Sequence, residues 1–204
     1  MALDSYSGLQ EAALSVVGRE GDSSLTAYLP VAIALVEAKL NRNLRVAEME
    51  ATSTGTSTNG VLALPTDFIA WRRVEASPYG SLAFQEPNFL ASQYPNGGEG
   101  PFPKFFTIQG STMTIYPTYT GEISLDYYQK IPALSDSSTS NWLLAAHPDI
   151  YLFMTASELY AFAKNYEEAQ VWNQRGMTAV EELTAFDKFR RYSRISARVK
   201  GPTP

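Results

Sequence analysis

Apolar residues recur every three or four positions at both ends of the chain, and roughly every second position in its middle. That change of period predicts helices flanking a β segment. The strongest helical signal lies in residues 140–189. Pro148 suits a first helical turn and Asp149 beside it favours the positive helix end. Ile150, Phe153, Met154, Leu159, Tyr160 and Phe162 then follow in a run to Ala163 that has almost no polar face, as a buried helix has. Asn165 offers the cap of a second helix, with Glu167 and Glu168 in its first turn. Its stripe of Trp172, Gly176, Ala179, Val180, Leu183 and Phe186 predicts an amphipathic cover for the first.

The N-terminal end repeats the helical pattern. A short helix carries Leu9, Ala12, Ala13, Val16 and Val17 behind a Ser7 cap, and Gly18 to Ser24 reads as a turn. A longer helix runs to about Leu44, with Pro30 near its start and Leu29, Ile33, Val36, Leu40 and Leu44 as its stripe. Glu37, Lys39, Asn41, Arg42 and Asn43 fall off that stripe and are expected to face solvent or a neighbour. From Val46 the period shortens. Ala47 to Thr54 alternates loosely, Gly55 to Gly60 reads as a hairpin loop before Val61 to Leu64, and Phe68 to Ala76 as a strand. Pro87 starts a short helix within Glu86 to Tyr94, and Pro95 to Pro103 reads as an exposed, mobile loop. Three strands follow at Lys104–Gln109, Thr112–Tyr116 and Glu122–Lys130.

The expected fold is α+β: a helical bundle formed by both chain ends, with an inserted antiparallel β segment and an extended C-terminal arm. The divisions fall at 1–45 and 132–188 for the helical body, 46–131 for the β segment and 189–204 for the arm. The 204 residues are 45% hydrophobic and only 18% charged, an ordered globular composition. With no Cys there are no disulfides, thiolate zinc sites or cysteine nucleophiles. Neither a signal peptide nor a membrane-spanning run is read, and a protein that stays in the cytoplasm where it is made, without membrane association, is expected.

Charge changes the picture more than composition does. All 21 acidic residues and ten basic ones lie in residues 1–187, giving −11, while the last seventeen positions carry +6. Those six cations are Lys188, Arg190, Arg191, Arg194, Arg198 and Lys200. Such a tail could neutralise phosphates, with strong salt dependence. Its interleaved Phe189, Tyr192, Ile195 and Val199 favour instead an arm that docks apolar groups into a protein groove with an acidic rim.

Candidate chemistry is sparse. His147 is the only histidine and sits at a helix start, so neither a Ser-His-Asp site nor a multi-histidine metal site has material. The pairs Glu48/Glu50, Glu167/Glu168 and Glu181/Glu182 are more simply solvated faces than a glycosidase dyad. Gly97-Gly98-Glu99-Gly100 lacks the Lys and Ser/Thr of a phosphate cradle, and Asp-rich calcium spacing is missing. Arg72–Arg73 reads equally as surface charge or as a pair for acids of another subunit. No catalytic residue, cofactor or metal is expected.

Several segments carry a resemblance by their order and spacing: Tyr6-Ser-Gly-Leu-Gln-Glu-Ala, Pro30 with Glu37-Ala-Lys-Leu-Asn-Arg-Asn-Leu-Arg45, Leu64-Pro-Thr-Asp-Phe68, Leu125-Asp-Tyr-Tyr128, Ile131-Pro-Ala-Leu-Ser-Asp136 and Asn141-Trp-Leu-Leu144. Together they resemble tailed-phage head–tail adaptor proteins, also called connector or tail accessory factor proteins. The resemblance implies a structural virion protein at the head–tail interface. It implies a homo-oligomeric ring, usually dodecameric, beneath the portal protein and above a downstream tail or nozzle protein, with the C-terminal arm reaching the portal. Duplex DNA would pass through such a ring without specific binding, and an acidic lining prevents sticking; Glu48, Glu50, Glu122 and Asp126 are the lining candidates. Some relatives are credited with cell-wall hydrolase activity, so a virion peptidoglycan hydrolase and a DNA-binding module stand as the alternatives.

Overall fold

The computed structural model describes residues 3–98 and 100–192. In chain order the helices are α1 (Tyr6–Val17), α2 (Ser23–Asn43), α3 (Pro87–Gln93), α4 (Trp142–Ala146), α5 (Pro148–Phe162) and α6 (Tyr166–Tyr192). The strands are β1 (Glu50–Ser57), β2 (Val61–Ala63), β3 (Phe68–Ala76), β4 (Gly80–Ser81), β5 (Ala83–Phe84), β6 (Phe105–Gln109), β7 (Thr112–Tyr116) and β8 (Gly121–Gln129). The result is an α+β chain of two compact units: residues up to 48 with those from 131 onward, and residues 49–130.

In the helical unit α5 is the central element, packed by α1, α2, α4 and α6. Its Ile150, Tyr151, Met154, Ala156 and Leu159 are buried, whereas Phe153 and Tyr160 of the expected run are half-buried and Phe162, at its end, is 46% exposed. α6 approaches closely through Gly176, where a Cβ would stand 2.6 Å from the Met154 Cγ. Ala169, Gly176, Val180 and Leu183 form the buried stripe of α6, and Asp187 completes it. Phe186, expected on that stripe, is 62% exposed.

The N-terminal helices start elsewhere than the sequence suggested. Ser5, not Ser7, caps α1, accepting from the Gly8 N–H at 3.2 Å. α2 begins at Ser23 because the Asp22 carboxylate accepts from the Ser24 and Leu25 N–H groups at 3.0 and 3.3 Å. Pro30 therefore lies inside this helix, on its exposed side. α2 is also long and apolar enough to cross a membrane by length and composition; here its stripe from Leu25 to Leu40 is core.

Glu37 is the main departure from expectation. It is 7% exposed, although it was expected to face solvent or a neighbour. It sits one turn from both Ile33 and Leu40, on the buried side of α2. Its Oε1 accepts the Leu134 N–H at 2.7 Å and the Tyr151 hydroxyl at 3.4 Å. Asn141 donates to the Tyr151 Oη at 2.9 Å and to the Pro132 carbonyl at 2.7 Å, and Asn41 accepts from the Ile131 N–H at 2.9 Å. Together they lash the returning segment 131–141 to α2 and α5. Burial pushes the Glu37 carboxyl above the ordinary range, and its two hydrogen bonds pull back against that.

The β unit packs two four-stranded sheets, ordered β1-β8-β3-β4 and β2-β7-β6-β5. All pairings are antiparallel except β5 with β6. Val74, Ile123, Leu125 and Tyr127 of the first sheet share one core with Phe106, Met113 and Ile115 of the second. The β6, β7 and β8 pattern matches the sequence reading closely. The Gly55–Gly60 loop does not: Gly55 to Ser57 continue β1, paired with β8 as far as Ser57 opposite Gly121. Thr58 to Gly60 make a tight turn with left-handed Asn59 (φ 51°) and Gly60 (φ 75°). Thr58 and Val61 bridge across this turn, and β2 then joins the other sheet beside β7.

Replacing Glu37 with Ala leaves the Leu134 N–H and the Tyr151 hydroxyl unsatisfied in the core, and should cost about 3 kcal/mol in denaturant unfolding. Glu37→Gln tests the charge. With a folded-state pKa above the unfolded one, the wild-type carboxylate penalises folding at neutral pH, and the penalty lifts as pH falls through the raised value. The Tm of wild type minus that of Glu37→Gln should rise from about pH 8 to about pH 5. A flat or falling difference contradicts the assignment.

Candidate assembly surfaces

Two groups of side chains could meet partners, one in each unit. The first is the end of α6. Asp187, 4% exposed, accepts the Ala47 N–H at 3.3 Å and the Arg190 Nη2 at 3.1 Å. The Arg191 Nε lies 2.7 Å from its other carboxylate oxygen, in an i, i+4 ion pair. Arg190 also donates to Glu48 Oε1 at 2.9 Å. This clasp holds the last turns of α6 against the short 3₁₀ turn Ala47–Met49, where the chain leaves the helical unit.

The clasp revises the expected arm. Lys188, Phe189, Arg190, Arg191 and Tyr192 belong to α6, not to an extended segment, because Asp187 bonds forward to the cations three and four residues on. Arg194, Ile195, Arg198, Val199 and Lys200 lie outside the described residues. Two of the six C-terminal cations are thus committed within the chain. Phe189, by contrast, is 71% exposed and stands on the outer side of the helix end beside Lys188. An Asp followed by Arg-Arg at i+3 and i+4 was the sequence signal for this.

The second group covers the outer face of the first sheet. Strand alternation turns Ile123, Leu125 and Tyr127 into the core, and Glu122, Ser124 and Asp126 outward. β1 puts Glu50, Thr52, Thr54 and Thr56 beside them. Asp126 accepts from the Thr52 hydroxyl at 2.7 Å and the Arg73 Nε at 2.9 Å. The Thr52 bond, then the guanidinium, hold its carboxyl below the usual range. Arg72 bonds Glu50 and lies over the Tyr128 ring at 5.4 Å, and Arg73 also meets Glu75 at 3.1 Å. The two arginines therefore pair with acids of their own chain. A shallow hollow of about 470 Å³ opens between these groups.

Of the four candidate lining acids, the structure brings Glu50, Glu122 and Asp126 onto this one face. Glu48 is in the other unit and bonds Arg190. His147 stands at the α4–α5 junction, its N–H bonded to the Leu143 carbonyl at 2.8 Å.

Replacing Asp187 with Ala removes the ion pairs that it makes with Arg190 and Arg191 and takes the acceptor from the Ala47 N–H. The expected cost is about 3 kcal/mol in chemical denaturation, with faster hydrogen exchange in residues 185–192. Unchanged exchange there means the clasp does not hold the helix end.

No curated protein matches. The family described as SU10 adaptor protein matches residues 4–199, nearly the whole chain. Order of segments, α+β architecture and family match agree: the chain belongs to the SU10 adaptor protein family, and is a head–tail adaptor of tailed bacteriophages.

Proposed function

We propose that this adaptor forms a closed ring beneath the portal, joins it to the next tail component, and grips the portal with the residues beyond α6. The supporting observation is the Asp187 clasp. A docking segment works best when its root is fixed, because less ordering remains to be done on binding. Here the root is fixed by Asp187, Arg190, Arg191 and Glu48. Lys188 is on the exposed side of α6, and the reading assigns Lys188, Arg194, Arg198 and Lys200 to the portal. Four charges interleaved with apolar residues suit a protein groove better than a duplex, where affinity comes from the number of phosphates neutralised.

The outer face of the first sheet is the surface turned to passing DNA in this reading. It carries Glu50, Glu75, Glu122 and Asp126, and its two arginines are bound by these acids. Such a face repels a polyanion weakly and offers it no free cation. The work is mechanical: a subunit positions, seals and transmits, and no bond in a substrate is made or broken. A dodecamer is the stoichiometry implied by resemblance to other adaptors.

Truncation after Tyr192 tests the grip without cutting the clasp. Deleting 193–204 should leave Tm unchanged and abolish co-sedimentation with purified portal protein. Full retention of portal binding by the truncated chain overturns the docking role. Binding of the full chain to duplex DNA, lost in the truncated one, would favour the nucleic-acid reading.

A further inference from the structure

The helical unit leaves two helix faces uncovered, and they are unlike each other. Opposite the buried stripe of α2 stand Ala27, Val31 and Ala38, flanked by Ala34 and Leu35, all exposed. Val31 and Leu35 are about half exposed. From Ser23 to Ala38 the only charged residue is the inward-facing Glu37, so the first charge on the outer side is Arg42. Opposite the buried stripe of α6 stand Glu167, Val171, Thr178, Glu182, Ala185 and Phe189, again all exposed. Shallow recesses flank this second face, one beside Gln170 and Val171, another beside Thr178 and Glu182. One face is flat and small, the other has projections and hollows.

Their heights agree. The Lys39 Nζ donates to Asn173 Oδ1 at 2.5 Å, and the Ala47 N–H to Asp187 Oδ1 at 3.3 Å. These two ties make α2 and α6 run in the same direction, with Lys39 level with Asn173. Rotation of a copy about an axis along the helices keeps every height unchanged. It sets Ala38 of one copy across from the turn holding Val171, and Arg42 across from Gly176 to Thr178, about one turn short of Glu182, a gap that two long side chains reaching toward each other can span. Arg42 and Glu182 are exposed and make no ion pair among the described residues. Their charges are opposite.

We infer that the outer face of α2 in one copy packs on the outer face of α6 in the next, with Arg42 paired to Glu182. This rests on the ring reading, and gives that ring its seam. A ring closed by rotation needs two different surfaces that fit each other, not one that fits itself. The occupant is a second copy because the α2 face has no cation for DNA along its apolar length. A membrane-lying helix would show large apolar side chains with lysines and arginines around them. Alanines bury little in lipid but let helices approach closely.

The chain has no cysteine, so Ala38→Cys and Val171→Cys each introduce a unique thiol. Rings assembled on purified portal protein are treated with a short bismaleimide. Each single variant alone should stay monomeric on denaturing gels. A mixture of the two should give dimers only, and the double variant a ladder of multimers. Arg42→Glu or Glu182→Arg should lower ring yield about tenfold, and the double charge swap should restore it. Intact rings with no link between positions 38 and 171 overturn the seam and leave the ring reading standing. Dimers from Ala38→Cys alone overturn it in favour of α2 packing on itself. Wild-type protein that forms no ring on the portal removes both, and uptake by anionic lipid vesicles in its place would mean that the face meets lipid.

Discussion

A buried carboxylate joins the two pieces of the helical body. That body is assembled from segments separated by the whole of residues 49–130, so its integrity depends on how the returning chain is caught. Glu37 catches it at the Leu134 N–H, and Tyr151 and Asn141 complete the network around it. Burying that charge opposes folding, and an apolar side chain of the same size would avoid the penalty. What Glu37 adds is position: only a segment offering donors at this spot is held, so the register of the return is specified.

Function follows from rigidity of this kind. An adaptor must present several surfaces to different neighbours at fixed places, and its side chains here are arranged to hold helices in place. The Asp187 clasp fixes where the C-terminal segment begins, Gly176 lets α6 lie close on α5, and Trp172 stacks near Phe153 and Tyr160. The charges follow the same division. Acids and arginines of the sheet face neutralise one another locally, whereas Arg42 and Glu182 are left for a neighbour. An acidic body with a basic end is thus sorted into charges that hold the subunit together and charges that meet partners.

Much of this was legible in the residues. The alternation of β8 and the Pro148 and Asn165 starts each rest on local patterns, and each appears as read; the apolar run of α5 is buried only in part, with Phe162 exposed at its end. The misses share a cause: a long-range partner decided the outcome. Glu37 reads as a surface residue until the returning segment supplies its donors, although its place between Ile33 and Leu40 hinted at burial. Gly55 to Ser57 read as loop by composition, but pairing with β8, more than sixty residues on, keeps them in a strand. The end of α6 read as the root of a loose arm, because the Ala47 N–H and Glu48 that secure it lie 140 and 142 residues earlier than the residues they meet. The segments that resemble other adaptors carried the family, which no single motif would have done.

The most direct test of the whole account is an electron cryomicroscopy reconstruction of this protein bound to its portal. The account predicts a closed ring with density for residues 193–204 on the portal surface, and each α2 seated beside the α6 of the neighbouring copy. Subunits bound singly without lateral contact, or a ring whose C-terminal segments point away from the portal, would contradict it.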